Sequence, residues 1–117
     1  MRGDRWNGIK KGLFLYLLCE TERVEFEYDP AKSEKNRRKH GIDFDEASAL
    51  WNDPRALLIE LNYKEETRFG LIARLEESQK LWIAIFTRRS AKIRIISVRR
   101  ARADESERYE QEQSEDS

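Results

Sequence analysis

This chain of 117 residues holds a single cysteine, Cys19, and a single histidine, His40. A disulfide framework within the chain is excluded, and so is a Cys/His zinc site. Any mechanism that needs two histidines goes with them. Proline occurs twice and glycine five times, so few positions can break an element or turn the chain sharply. Neither GxGxxG nor GxxxxGK[ST] occurs, which removes the usual signatures of dinucleotide and P-loop nucleotide sites. No apolar run reaches 18 residues, so no segment reads as a membrane-spanning helix.

Apolar residues are scarce as well. They make up 38% of the chain against 39% charged, the first figure low and the second high for a globular protein. The length suits one domain, which can bury roughly two-thirds of its unfolded surface in one modest core. Net charge is zero, from 23 basic and 23 acidic residues, but the average hides a partition. Residues 87–102 carry Arg88, Arg89, Lys92, Arg94, Arg99, Arg100 and Arg102 and no acid. Residues 103–117 carry Asp104, Glu105, Glu107, Glu110, Glu112, Glu115 and Asp116 against Arg108 alone. A second basic block, KSEKNRRKH, fills residues 32–40. Basic blocks are candidate phosphate-binding footprints, although a solvated face explains a Lys/Arg cluster equally simply.

Residues 1–23 are unlike the rest. A basic, glycine-containing start precedes the apolar run Leu13–Cys19, which imitates a signal peptide. The run is about seven residues, at the bottom of the signal range. Glu20, Thr21, Glu22 and Arg23 follow it without a small-residue cleavage site, and Leu18 does not suit lipoprotein processing at Cys19. The segment is expected to be an extension from an upstream start codon, either disordered or a short helix.

From residue 24 the pattern becomes regular. Val24-Glu25-Phe26-Glu27-Tyr28 alternates with period two and predicts a strand with Val24, Phe26 and Tyr28 facing the core. Asp29-Pro30 supplies an N-cap and a proline at the first helical position, and Gly41 supplies the stop, so a helix is expected from about Ala31 to His40. Its cations crowd the C-terminal end, where the helix dipole favours them. Asp43 or Asp45 can cap a second, short helix from Glu46 to about Trp51, with Ala47, Leu50 and Trp51 on its apolar face. Three strands follow, near 56–61, 68–75 and 81–87. The last of them, LWIAIF, is apolar on both faces and reads as a central strand covered on both sides. A turn at Arg88–Ala91 leads to a fourth strand, Lys92 to Arg100, and then to a helix from about Ala103 to Gln113. Residues 114–117 are expected to fray. The order β-α-α-β-β-β-β-α implies an α+β fold.

The segment Lys92–Arg100 is the most informative. Strict alternation puts Ile93, Ile95, Ser97 and Arg99 on one face and Arg94, Ile96, Val98 and Arg100 on the other. An arginine fixed on a rigid sheet is a pre-organised phosphate ligand, because its planar fork holds two oxygens. The plainer alternative is that these arginines pair with the acidic last helix.

Taken in order, these segments resemble the BrnT family of bacterial type II toxins. The matching residues run from Phe26-Glu27-Tyr28-Asp29-Pro30-Ala31-Lys32 through Asn36, Lys39-His40-Gly41-Ile42, Phe44, Glu46-Ala47 and Asp53-Pro54. They continue with Arg68-Phe69, Thr87-Arg88-Arg89, Arg94-Ile95-Ile96-Ser97, Arg99-Arg100-Ala101, Glu105 and Tyr109. The likeness spans about Val24 to Glu110, and residues 1–23 are not part of its usual pattern. It implies a toxin domain over 24–113 with a compact RelE-like fold: an N-terminal strand and two helices, then an antiparallel sheet and a C-terminal helix. It also implies a cytoplasmic ribonuclease that needs no cofactor or metal and halts translation. The partner it implies is a BrnA-type antitoxin that carries a DNA-binding domain, so operator DNA is met only through the complex.

RNA cleavage by 2′-OH attack needs a proton acceptor, a stabiliser for the charge that develops on phosphorus, and a proton donor for the leaving oxygen. RelE-like ribonucleases often supply these with Lys, Arg and Tyr. On that likeness Arg68, Arg99 and Arg100 are the candidate charge stabilisers. Lys39, His40 and Tyr109 are the candidate proton-transfer groups. Arg88, Arg89, Arg94, Lys35 and Arg38 are candidate RNA contacts. His40 can instead simply suit the helix dipole, and Tyr109 can be core. A rival set, His40, Asp43, Asp45 and Glu46, has the atoms for Mg²⁺ or Mn²⁺, yet helix capping accounts for its acids. Trp51, Trp82 and Phe86 could stack bases, but Trp51 and Trp82 fall on apolar faces and suit the core better. Two other functions share the basic blocks: a non-catalytic nucleic-acid-binding module, and a regulatory protein whose basic surface meets only an acidic protein partner.

Overall fold

The computed structural model describes residues 25–63 and 66–116. Residues 1–23 and the place of Val24 on the first strand lie outside the described residues. The fold is α+β, a five-stranded mixed sheet with three helices. The elements are β1 (Glu25–Glu27), α1 (Pro30–His40), α2 (Phe44–Ala47), a 3-10 turn (Ser48–Asn52), β2 (Leu57–Tyr63), β3 (Glu66–Arg74), β4 (Leu81–Arg89), β5 (Lys92–Arg100) and α3 (Ala103–Asp116). Their order across the sheet is β1-β5-β4-β3-β2.

The punctuation of α1 works as the residue types require. Asp29 accepts a hydrogen bond from the Ala31 N–H at 2.9 Å, and Pro30 opens the helix. Gly41 closes it at φ 85°, with its N–H bonded to the Arg37 carbonyl at 2.8 Å. Of the two possible caps for the next helix, Asp43 serves: it accepts from the Glu46 N–H at 2.7 Å while Glu46 accepts from the Asp43 N–H at 3.0 Å. That helix starts two residues earlier than expected and tightens into the 3-10 turn, so Leu50 and Trp51 are buried by a tighter coil.

The strands after the helices, β2 to β5, form the antiparallel sheet that the resemblance implied, and β1 joins it as a parallel strand, which makes the sheet mixed. β1 lies parallel to β5, in the register Glu25–Lys92, Phe26–Ile93, Glu27–Arg94. β4 is central, as its two apolar faces predicted, and it divides the core in two. Trp82, Ala84 and Phe86 face α1 and α2, in a cluster with Ile42, Phe44, Leu50 and Trp51. Leu81 and Ile83 face α3, in a cluster with Leu57, Ile72 and Tyr109. Phe26, Trp51, Phe86 and Phe69 form a chain of ring contacts at 5.1–5.4 Å on the first side. Trp51 and Trp82 are each 7% exposed and Phe86 is 0%, so these rings are core rather than a stacking surface for bases.

β5 departs from strict alternation. Ile85 pairs with Ser97 and Phe86 with Ile95, so Ile96 is the extra residue of a β-bulge. The bulge shifts the parity beyond it. Val98 joins Ile93 and Ile95 on the α1 side, not Arg94 as alternation predicted. Arg94, Ser97 and Arg99 then share the α3 side with Thr87, Ile85 and Ile83, their partners on β4.

Helix α1 buries almost nothing apolar. Its buried residues are Ser33 and Asn36, and both work through hydrogen bonds. Asn36 Nδ2 donates to the Ile42 carbonyl at 2.8 Å and to the Val98 carbonyl at 2.9 Å, and the Val98 N–H donates to Asn36 Oδ1 at 3.2 Å. Among the described residues β1 pairs with residues 92–94, and the outer edge of β5 has no strand neighbour at Val98. The Asn36 amide supplies the missing ladder bonds. The Phe44 N–H donates to Ser33 Oγ at 2.9 Å, fixing the chain after α1 to the same helix.

Candidate functional site

Among the described residues, the α3 side of the sheet is covered at one end only. Tyr109 packs over Leu57, Ile72, Leu81 and Ile83, while Ile59 and Ile85 farther along are only partly buried. At the open end a row of polar side chains crosses the strands. Glu27 on β1 is in register with Arg94 on β5, and Arg94 with Thr87 on β4. On β3, Arg68 is one step beyond the Phe69–Phe86 pair, which brings it beside Thr87. Arg68 and Arg94 are therefore two strand spacings apart, about 10 Å, with Thr87 between them. Both guanidiniums are held. Arg68 Nε donates to Glu66 at 2.8 Å, and Arg94 stands 3.6 Å from Glu27. Their side chains are 25% and 33% exposed, so they are backed by the sheet yet reachable from solvent. One step farther along the same face stand Arg89 and Lys92, paired in register, with Glu25 beside Lys92.

Arg99 shares this face but not this row. Four residues of β5 separate it from Arg94, and it makes a bidentate pair with Glu105 at 2.9 and 2.8 Å, clamping the start of α3. Burial alone would raise the Glu105 pKa, but the Arg99 hydrogen bonds, the Arg102 N–H at 2.8 Å and the two cations outweigh it and hold the carboxyl below its usual value of 4.5. A group depressed in the folded state is protonated first in the unfolded one as pH falls. The stabilisation is complete above pH 4.5 and is lost as pH drops through the lower folded value. Thermal melts through the acid range are expected to fall more steeply for the native chain than for Glu105→Gln.

The other candidates are elsewhere. Arg100 lies on the α1 side, 5.6 Å from the Trp82 ring, with Nε donating to the Leu81 carbonyl at 3.3 Å. Lys39 and His40 end α1, next to Gly41 and Ile42, which line an open cavity of about 970 Å³ together with Trp82. Carboxylates dominate that cavity: Asp45, Glu46, Asp53, Glu76, Glu77 and Glu110 face Arg55, Arg74 and Lys80. It is not built for a polyanion. Lys35 and Arg38 are exposed on α1, and Arg88 and Arg89 are exposed at the end of β4. The structure thus places Lys39, His40 and Arg100 behind the sheet and Arg68, Arg94 and Arg99 in front of it. Among the described residues no group of three or more His, Cys, Asp or Glu side chains could hold a metal ion. Of the rival set, Asp43 and Glu46 are occupied by capping α2.

Tyr109 is 3% exposed and its hydroxyl donates to Asp53 Oδ2 at 2.8 Å. The same carboxylate accepts the Arg74 N–H at 2.9 Å, and its other oxygen accepts the Arg55 N–H at 2.9 Å. Asp53 therefore ties the turn before β2 to β3 and α3, a role its place in an Asp-Pro turn did not reveal. Burial, then the Asp53 hydrogen bond and charge, push the Tyr109 pKa from 10.0 up to about 12. A raised acid stabilises the fold fully below pH 10.0, and that contribution is lost as pH rises through about 12. Tyr109→Phe is expected to cost about 1–2 kcal/mol at neutral pH. It should also flatten the alkaline fall in melting temperature.

Thr87 and Glu27 are the members of the row that residue types alone did not single out. Thr87 is placed by the β4–β5 register, set by a two-residue turn at Ser90-Ala91 with Ser90 at φ 56°, and Glu27 by the parallel pairing of β1 with β5. That dipeptide is not among the glycine-containing pairs that announce such turns, and the turn was expected to span Arg88–Ala91.

Comparison with known proteins gives one family. A model described as "Ribonuclease toxin, BrnT, of type II toxin-antitoxin system" matches residues 28–105. The search of curated proteins finds no match. The matched span runs from the end of β1 to the Arg99–Glu105 clamp and takes in Arg68, Thr87 and Arg94. With more than half its length inside that match, the chain belongs to the BrnT family of ribonuclease toxins of type II toxin–antitoxin systems.

Proposed function

We propose that this chain cleaves RNA by 2′-OH attack without a metal ion, so inhibiting translation, and that a BrnA-type antitoxin neutralises it. The phosphodiester binds on the open face of the sheet, over Thr87 and between Arg68 and Arg94. One observation carries the reading: two partly exposed guanidiniums flank the buried Thr87 on a part of the sheet that α3 does not cover. Guanidiniums held in advance stabilise charge developing on phosphorus without reorganising. Their carboxylate partners are no obstacle. Exposed ion pairs of this kind contribute only about 0–1 kcal/mol, so a phosphate can displace them. Arg89 and Lys92 extend the cationic track along the strand direction for the neighbouring nucleotides. Arg99 acts at one remove, by anchoring α3 at the covered end.

The test is expression of the chain with and without a neighbouring antitoxin gene, with messenger RNA followed by primer extension. Expressed alone, the chain should stop protein synthesis and leave discrete RNA cuts that co-expression abolishes. The cut ends decide the chemistry. Attack by the 2′ oxygen leaves a 5′-hydroxyl on the downstream fragment. Cleavage with 5′-phosphate ends, or arrest with intact messenger RNA, would contradict the proposal.

A further inference from the structure

The proposed phosphate site holds charge stabilisers, but none of the proton-transfer groups expected from the sequence is beside it. Lys39 and His40 are on the α1 side of the sheet, and the Tyr109 hydroxyl is bonded to Asp53 at the covered end. The polar row itself contains a carboxylate. Glu27 is the last residue of β1, in register with Arg94, and its side chain is 30% exposed on the open face. Its contact with Arg94 is an ion pair at 3.6 Å, and among the described residues its carboxylate accepts no hydrogen bond. Glu66, the other carboxylate near the row, is half exposed and already accepts the Arg68 Nε–H at 2.8 Å. The groups facing Glu27 are Arg94 on β5 and, one step along, Glu25 on its own strand with Lys92 across from it.

We infer that Glu27 is the catalytic proton acceptor for the attacking 2′-hydroxyl. The inference rests on the phosphate site proposed above and assigns the role that site leaves open. With the phosphate on Arg94 and Arg68, a nucleotide whose 2′ oxygen points toward β1 brings that hydroxyl to Glu27. The proton passes to the carboxylate as the 2′ oxygen–phosphorus bond forms and the phosphorus–5′ oxygen bond breaks. The departing 5′ oxygen takes a proton from water, and the hydroxide so formed recovers the proton from Glu27. The products are a 2′,3′-cyclic phosphate and a 5′-hydroxyl. Arg94 stabilises phosphorus-borne charge in this arrangement, and Glu27, in register beside it, stands at the β1 side of the same phosphate.

The experiment compares the native chain, Glu27→Gln, Glu27→Asp and Arg94→Ala on messenger RNA with purified ribosomes present, from about pH 5 to about pH 8. Circular dichroism confirms that each variant is folded. Glu27→Gln is expected to lower the cleavage rate by about a hundredfold to ten-thousandfold, the usual range for a general base, with RNA binding retained. The acid limb of the native pH–rate profile should vanish in Glu27→Gln and persist, at lower rate, in Glu27→Asp. A Glu27→Gln chain with near-native rate, or with the acid limb intact, would overturn the inference. Loss of RNA binding equal to that of Arg94→Ala would make Glu27 a positioning residue and overturn it too. Arg94→Ala separates the two readings: full activity there sinks the phosphate site itself, whereas an inactive Arg94→Ala beside an active Glu27→Gln sinks only the role of Glu27.

Discussion

Alanine at Arg94 is expected to slow RNA cleavage by at least about a hundredfold and to end growth arrest, with the fold unchanged. Arg68→Ala should do the same. Each side chain is only partly buried, and neither belongs to a core cluster. On the proposed placement of the phosphate, removing one deletes a donor to the developing charge, a loss of about 100-fold to 1000-fold per donor where such donors have been removed. Lysine at either position is expected to rescue only part of the rate. It restores the charge but not the planar fork that holds two oxygens. Arg100→Ala is the informative contrast, because Arg100 stacks on Trp82 behind the sheet. That variant should lose some thermal stability while cutting RNA at close to the native rate. The comparison is made by induced expression and by primer extension on messenger RNA. Full growth arrest from both Arg68→Ala and Arg94→Ala would refute the placement of the phosphate.

The second large effect concerns stability. Asn36→Leu is expected to destabilise the fold by about 3 kcal/mol or more, lowering the melting temperature by roughly 10–20 °C. Leucine is apolar and similar in size, so volume is not the issue. The loss comes from what the amide satisfies: the Val98 N–H, the Val98 carbonyl and the Ile42 carbonyl. Each buried backbone group left unpaired costs about 1–3 kcal/mol. Helix α1 has no apolar face to hold it in place without those bonds, since it buries only Ser33 and Asn36. Asn36→Asp should be at least as damaging, because the carboxylate cannot donate to the two carbonyls and sets a buried negative charge against their oxygens. An Asn36→Leu chain that melts within a few degrees of the native one would show that α1 is held by something else.

These two variants also separate what one polar residue type can mean. Asn36 falls in a basic, fully polar helix, and nothing in the residue pattern marks it as buried. Its role appears only when β5 ends its pairing with β1 at Arg94 and leaves Val98 with open backbone groups. Arg94 and Arg99 look alike in the sequence, both on the basic strand. The structure gives the first to an open face and the second to a bidentate clamp on the last helix.

The elements and their order follow from the residues alone. Caps, a proline at the first helical position, a left-handed glycine and period-two alternation are local rules, satisfied within a few residues of where they act. The residues also determine that β4 is central, since only a strand covered on both sides can be apolar on both. Which side chains meet follows from the pairing of distant segments. Pairing β1 with the distant β5 brought Glu27 to Arg94. A bulge at Ile96, hidden because Ile95 and Ile96 are equally apolar, reversed the faces beyond it. A strand's register and its bulges are set by contacts between segments far apart in the chain. Charge and periodicity along one segment therefore could not say which arginines would stand together on the open face and which would be drawn into clamps or behind the sheet.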